Sequence, residues 1–246
     1  MLKTILKKII PSGLWSIYEK RKIRRRALND SKYTDHSVKE VMSLIYKDNL
    51  WGGKEHDFYS GVGSHTTKIV EPYVQRVAAW LDSHENKLVV CDLGCGDFNV
   101  GSQLVEHTAA YIGADIVDEL VKRNRSLFKK DNLEFTCVDI VNDDLPMADC
   151  ALVRQVLQHL SNAEIGKALV KLKKYKYLIV TEHVPYGKFT PNVDKSSSPD
   201  TRVYKKSGIV LTEDPFNLRP LVEKEMLRVD FKKKQSEIVT TLYQLF

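Results

Sequence analysis

The sequence predicts an α/β protein: a doubly wound, mostly parallel seven-stranded sheet with an N-terminal helical extension and a C-terminal antiparallel hairpin. Three observations carry that prediction. The apolar run Leu88 to Cys91 ends at Asp92 and opens into Gly94-Cys95-Gly96-Asp97, a strand breaking into a glycine turn. Beyond it, short apolar runs alternate with amphipathic segments, the pattern of a parallel sheet covered by helices on both faces. Finally, 246 residues with 43% hydrophobic content can bury one substantial core, which excludes a chain disordered throughout.

The elements follow in order. Ahead of the glycine turn the spacing predicts a helix over 35–49, a polar segment WGGKEHDFYSGVGSHTT, and a helix over 66–84. From there the reading is strand 88–92, helix 100–108, strand 110–115, helix 117–128, strand 133–138, strand 149–153, helix 162–173 and strand 176–182. After a long polar loop, Met226–Phe231 and Glu237–Phe246 lie on either side of KKKQ and read as the terminal hairpin. The chain therefore divides into an arm over 1–32, a helical cap or lid over 33–86 and a ligand-binding core over 87–246.

Charge is segregated into the arm. Residues 1–32 hold ten Lys/Arg against Glu19 and Asp30, a balance of +8; the whole chain carries +6, so the remainder stands at −2. Leu2, Ile5, Ile9 and Ile10 recur between lysines at helical spacing, and Leu14, Trp15, Ile17 and Tyr18 precede EKRKIRRR. This is either a solvated helix packed on the core by its apolar face or a contact for a membrane surface or membrane-bound partner. No RNA- or DNA-reading motif accompanies the charge, which disfavours nucleic acid. Cys91, Cys95, Cys137 and Cys150 are dispersed without a CxxC pair, which favours reduced thiols and a cytoplasmic setting, with the inner face of a membrane as the arm's contact. No Asp/Glu/His set stands at metal-ligand spacing, and no metal is expected.

The glycine turn narrows the ligand. A dinucleotide fingerprint, G-x-G-x-x-G, requires a third glycine where this chain has Asn99, and Asp97 would repel a pyrophosphate. Backbone donors beside carboxylates suit instead a ligand end bearing both an ammonium and a carboxylate. Asp115, closing the second strand, stands where a carboxylate accepts ribose hydroxyls. Asp139, after the third, can accept from an adenine amine while Ile140 packs on the ring.

As a set, VVCDLGCGD, Asp115, CVDIV and DCALVRQVLQHLS resemble the ordered motifs of class I S-adenosylmethionine-dependent methyltransferases over residues 88–182. The resemblance implies a Rossmann-like methyltransferase fold and S-adenosylmethionine as cofactor. It places cofactor contacts at Trp51, Ser60, Gly61, Asp92, Gly94, Cys95, Gly96, Asp97, Asp115, Ile116, Asp139, Ile140 and Gln155. The family commonly has an acid where Gln155 stands, so no base role is carried over to that position. LWGGKEHDFYSGVGS and DPFNLRP further resemble bacterial methyltransferases associated with cell-surface glycan assembly, capsule or O-antigen. That implies O-methylation of a sugar, a sugar phosphate or a related glycan precursor. The alternatives are methylation of RNA or protein, or a non-catalytic scaffold in a membrane-associated assembly. The Asp/Asn-Pro-Pro-Tyr/Phe motif of base N-methylation is replaced at the fourth strand by Arg154-Gln155-Val156-Leu157.

An alcohol acceptor loses a proton as it attacks, and His159 is the candidate base because an imidazole titrates near neutrality. The competing reading is that His159 fixes the loop after the fourth strand. Tyr59, Ser64, Glu182, His183 and Arg202 are the candidate substrate contacts: the first two on the segment that would fold over the site, Glu182 and His183 at the functional edge of the sheet, and Arg202 for an anionic group.

Overall fold

The computed structural model describes residues 21, 24–26, 28–53, 55, 57–231 and 236–246. Residues 1–20, 22, 23 and 27 of the expected arm thus lie outside the described residues, and with them its apolar repeat. The strands are β1 Val89–Leu93, β2 Ala110–Asp115, β3 Leu133–Cys137, β4 Cys150–Arg154, β5 Tyr177–Pro185, β6 Val222–Phe231 and β7 Ser236–Gln244. They form one seven-stranded sheet in the order β3-β2-β1-β4-β5-β7-β6. All neighbouring pairs from β3 to β5 are parallel, and β7 is antiparallel to both β5 and β6. The fold class read from the sequence is the one observed.

Among the described residues from Ser31 on, the α-helices are α1 Val38–Lys47, α2 Val62–His65, α3 Thr67–Asp82, α4 Asp118–Leu127 and α5 Asn162–Leu172. Successive strand residues point to opposite faces, so each central strand feeds two cores. Cys91, Leu93, Ile112 and Ala151 join Val38 of α1 and Ile165, Leu169 and Leu172 of α5 on one face. Val90, Tyr111, Cys150 and Leu152 join Tyr73, Val77 and Leu81 of α3 and Val121 of α4 on the other. Residues 67–82 of the expected cap are thus a layer of the core.

The chain leaves β1 for β2 and β3 on one side and returns to β4 on the other. This reversal makes the carboxyl ends of β1 and β4 the switch point at which a doubly wound sheet opens a crevice.

One expected element is replaced. Instead of a helix over 100–108 the chain forms two 3-10 turns, Gly101–Gln103 and Val105–His107. Phe98, at φ 64°, is fully buried with its ring edge-on to Tyr111, Phe128 and Phe135. The chain must then pass beneath that ring at Gly101, where a Cβ would lie 2.5 Å from Phe98 Cε2. That close passage leaves tight turns in place of a regular helix. The hairpin is also longer than expected, since β5 pairs with β7 over its whole length and β6 gains four residues before a register shift between Glu225 and Leu227.

The arm's end is tied to the core. Asp30 is buried and accepts from Ser198 Oγ at 2.6 Å and from the Tyr204 hydroxyl. The long loop after β5 is pinned by Asn192, whose side-chain amide donates to the Val210 and Asp214 carbonyls at 2.8 Å each and accepts from Val210 N at 2.9 Å.

Ser37 caps α1 in a reciprocal box: Glu40 N donates to Ser37 Oγ at 3.3 Å, and Ser37 N donates to Glu40 Oε2 at 2.7 Å. Losing such a cap costs about 1 kcal/mol. Ser37→Ala should therefore lower the melting temperature by about 2–4 °C in calorimetry. An unchanged melting temperature would show that α1 is held by packing alone.

Candidate active site

A cavity of about 690 Å³ opens at the switch point, within the size range of small-molecule sites. Its floor is the turn after β1. Gly94 and Gly96 have φ of 81° and 58°, and neither has room for a side chain. A Cβ at Gly94 would lie 2.3 Å from Val156 Cγ2, and one at Gly96 2.3 Å from Ser60 Oγ. Glycine is required there both by conformation and by close approach.

The expectation that this turn offers backbone donors to a ligand is corrected. Gly94 N and Cys95 N both donate to the Ala114 carbonyl, at 2.8 and 3.0 Å. Gly96 N donates to Asp115 Oδ2 at 3.0 Å, and Asp97 N to Ser60 Oγ at 2.8 Å. The turn presents bare backbone surface, and its donors are committed within the protein.

The acids divide by role. Asp115 is buried at the end of β2, lines the cavity beside Ile116, and also accepts from Val117 N at 3.1 Å. Burial raises its carboxyl above the usual range, opposed by the N–H groups of Val117 and Gly96. Asp92, also buried, accepts from the Tyr111 hydroxyl at 2.9 Å; burial pushes it up to about 6, against the pull of that hydroxyl and of Arg154. Asp97 faces the lid. Its Oδ2 accepts from Ser60 N at 2.8 Å and meets His65 Nε2 at 2.6 Å, so it clasps Ser60 and the end of α2 to the glycine turn. Asp139 lies outside the lining: its two oxygens accept from Val141 N and Asn142 Nδ2, both at 2.8 Å, while Val138 and Ile140 line the cavity on either side of it.

Of the segment expected to cover the site, Trp51, Ser60, Gly61 and Ser64 line the cavity. Trp51 donates to the Pro199 carbonyl at 3.2 Å and tilts against the His159 ring, 5.0 Å between centroids. Tyr59 instead stacks on His65 at 4.4 Å, which braces the clasp. His159 and His183 both line the cavity.

The Gln158 amide fixes the His159 tautomer by its bonds. Its Oε1 accepts from His183 N at 3.2 Å, so its Nε2 faces His159 Nε2 at 3.2 Å as donor. The network thereby assigns the His159 proton to Nδ1, which donates to the Ser198 carbonyl at 3.1 Å.

Two expected substrate contacts stand elsewhere. Glu182 is buried beneath the turn after β4, accepting from Leu157 N at 3.0 Å and Gln158 N at 3.2 Å. Arg202 is fully buried behind the same turn and donates to the carbonyls of Leu157, Gln158 and Leu160 and to Asn162 Oδ1. Burial lowers Arg202 to about 10, opposed by Glu182. Both side chains bond backbone groups of the His159 turn and shape it.

Sequence reasoning missed Asn29, Tyr33, Tyr46, Arg154 and Asp200 in the lining. Arg154 had a signal: a lone cation at the carboxyl end of an otherwise apolar strand, where ligands bind in such sheets. The others sit on elements whose docking only the fold reveals.

With this geometry in place, residues 90–175 match the family model described as Methyltransferase domain. The N-methyltransferase NodS of Bradyrhizobium japonicum WM9, solved in complex with S-adenosyl-l-homocysteine, is 13% identical, covers 73% of this chain and 88% of its own, and superposes with a TM-score of 0.57. Magnesium protoporphyrin IX methyltransferase of Synechocystis PCC 6803, solved with bound SAM, is 18% identical, with coverage of 84% and 97% and a TM-score of 0.52. A 23S rRNA (uracil(1939)-C(5))-methyltransferase of Shewanella amazonensis is 30% identical over 112 residues, 44% of this chain; the chain spans a quarter of that relative's length. Among the described residues no helix is long and apolar enough to cross a membrane.

Burial pushes Glu182 up to about 8 from an ordinary 4.5. An acid raised on folding binds more protons in the folded than in the unfolded state between those values, so stability from this group falls as pH rises from 4.5 through 8. Denaturant titrations across that window should show the decline, and Glu182→Gln should make it shallower. An equal slope in the variant would assign the proton uptake to another group.

Proposed function

We propose that this chain is an S-adenosylmethionine-dependent methyltransferase that O-methylates a small polyhydroxylated acceptor, a sugar or sugar phosphate of a cell-surface glycan precursor. The observation that carries the reading is one cavity at the switch point lined by two chemically different sets of residues. Its lining combines the glycine turn and the buried Asp115 with Asn29, Tyr33, Trp51, His159, His183 and Asp200.

The first set fits an adenosyl cofactor. Asp115 is an acceptor for ribose hydroxyls, Ile116, Val138 and Ile140 offer apolar surface to a base, and Gly94 and Gly96 let backbone lie against the ligand. When bound, that cofactor supplies an electrophilic methyl group on a sulfonium. The chain's own residues must hold the acceptor, keep water out and take one proton. Tyr33 and Trp51 offer flat faces, and Asn29 and Asp200 offer partners for hydroxyl groups, the combination that suits a polyhydroxylated ring. The Ser60–Asp97–His65 clasp holds the covering segment against the glycine turn and so shields the site from water.

His159 is the proton acceptor in this reading. With its proton on Nδ1, held by Ser198 O, the lone pair lies on Nε2, where the Gln158 amide now donates. An acceptor hydroxyl takes that amide's place before its proton is taken. The reading also takes the +8 balance of residues 1–32 as a contact for an anionic membrane surface or membrane-bound partner; Asp30 ties the end of that segment beside the cavity wall.

Asp115→Ala should weaken S-adenosylmethionine binding by about 1.5–3 kcal/mol in calorimetry of the folded protein. Unchanged affinity would remove Asp115 from the cofactor site. With an acceptor found by incubating labelled cofactor with fractionated glycan precursors, nucleotides and RNA, His159→Ala should lower turnover about 10²- to 10⁴-fold with cofactor affinity kept. Wild-type turnover should rise with pH through a value near neutrality, a rise absent in the variant. A fully active variant would leave His159 as a scaffold for the turn after β4, and label in RNA alone would replace the glycan reading.

A further inference from the structure

At the end of β4 two adjacent residues carry buried donors that meet no acceptor among the described residues: Arg154 Nε and Gln155 Nε2. Buried donors are almost always paired, so two together mark a place where an acceptor belongs. Both side chains sit at Gly63. Arg154 donates to the Gly63 carbonyl at 2.7 Å and to Ser64 Oγ at 3.2 Å, while a Cβ on Gly63 would lie 2.7 Å from Gln155 Nε2. Both also line the cavity, and Gln155 holds φ 59°, a left-handed conformation uncommon outside glycine.

The guanidinium lies over the Tyr73 ring, 5.0 Å from its centroid, and among the described residues no carboxylate forms an ion pair with it. Burial lowers its affinity for its own proton, with Tyr73, Asp92 and Asp97 acting in the opposite sense. A partly buried cation bonded only to neutral oxygens gains most from an anion delivered to it.

The surroundings select the anion. Asp92 and Asp97 line the same cavity, so a phosphate would meet two acids, whereas a single carboxylate with an ammonium beside it would be matched group for group. Position selects its source. Val156, next along the chain, fills the space at Gly94, so the donor pair adjoins the glycine turn. Resting on the cofactor reading above, we infer that Arg154 and Gln155 form the carboxylate anchor for the amino-acid end of S-adenosylmethionine. The same arginine, through Gly63 and Ser64, couples that anchor to the covering segment.

The test compares S-adenosylmethionine with its decarboxylated form by calorimetry on the full chain. The wild-type protein should bind the carboxylate-bearing form about 10- to 100-fold more tightly. In Arg154→Gln that preference should collapse, through weaker binding of S-adenosylmethionine and unchanged binding of the decarboxylated form. Should Arg154→Gln fail to fold, Arg154→Lys, which keeps the charge but not the fork, should show an intermediate preference. Full preference in the folded glutamine variant, or in the lysine variant where the glutamine variant is unfolded, overturns the anchor and leaves the cofactor assignment standing. Failure of the wild-type chain to bind either form overturns both.

Discussion

The 3.0 Å bond from Gly96 N to Asp115 Oδ2 is the contact on which the site depends. It joins the turn after β1 to the end of β2, and with the Ala114 carbonyl bonded to both Gly94 N and Cys95 N it leaves the turn one conformation. Only glycines at 94 and 96 can follow that path, since both have positive φ and both are pressed by neighbouring side chains. The acid held there is buried, which raises its carboxyl above the usual range, while the backbone N–H groups of Val117 and Gly96 hold it down.

From this turn the constraints spread in two directions. Toward the lid, Asp97 binds Ser60 and His65, Ser60 also meets the Tyr46 hydroxyl at 3.0 Å, and α1 is thereby joined to the site. Toward β4, Val156 packs on Gly94 and starts the turn that carries Gln158 and His159. That turn is held from behind by Glu182, which takes two of its N–H groups, and by Arg202, which takes its carbonyls. A buried acid and a buried guanidinium thus satisfy the two kinds of backbone group that a non-regular segment leaves open. The arrangement keeps two histidines at the cavity without placing a charged group from beneath into it.

Much of this was legible in the residues. Apolar runs bounded by glycines and acids gave β1 to β5, and the glycine turn and Asp115 were found where the cavity opens, because those positions are fixed by strand ends. What resisted was set by tertiary packing. Phe98 buries its ring in a three-aromatic cluster and breaks the helix expected over 100–108, an outcome that periodicity cannot register. Arg202 reads as a contact for an anionic substrate group, yet the loop after β5 folds back and buries it against the His159 turn. Glu182 sits at the functional edge of the sheet, as expected, but faces the protein. Arg154 was readable in principle as a charge ending an apolar strand; its role needed the knowledge that Gly63 and Gln155 stand beside it.

The central claim is that the cavity takes an adenosyl ligand with an amino-acid tail and not a dinucleotide. Calorimetric titration of the full chain with S-adenosylhomocysteine and, separately, with NAD tests it most directly. The account predicts saturable one-to-one binding of S-adenosylhomocysteine and no binding of NAD at the same concentrations. Tighter binding of NAD, or saturable binding of neither, would contradict it.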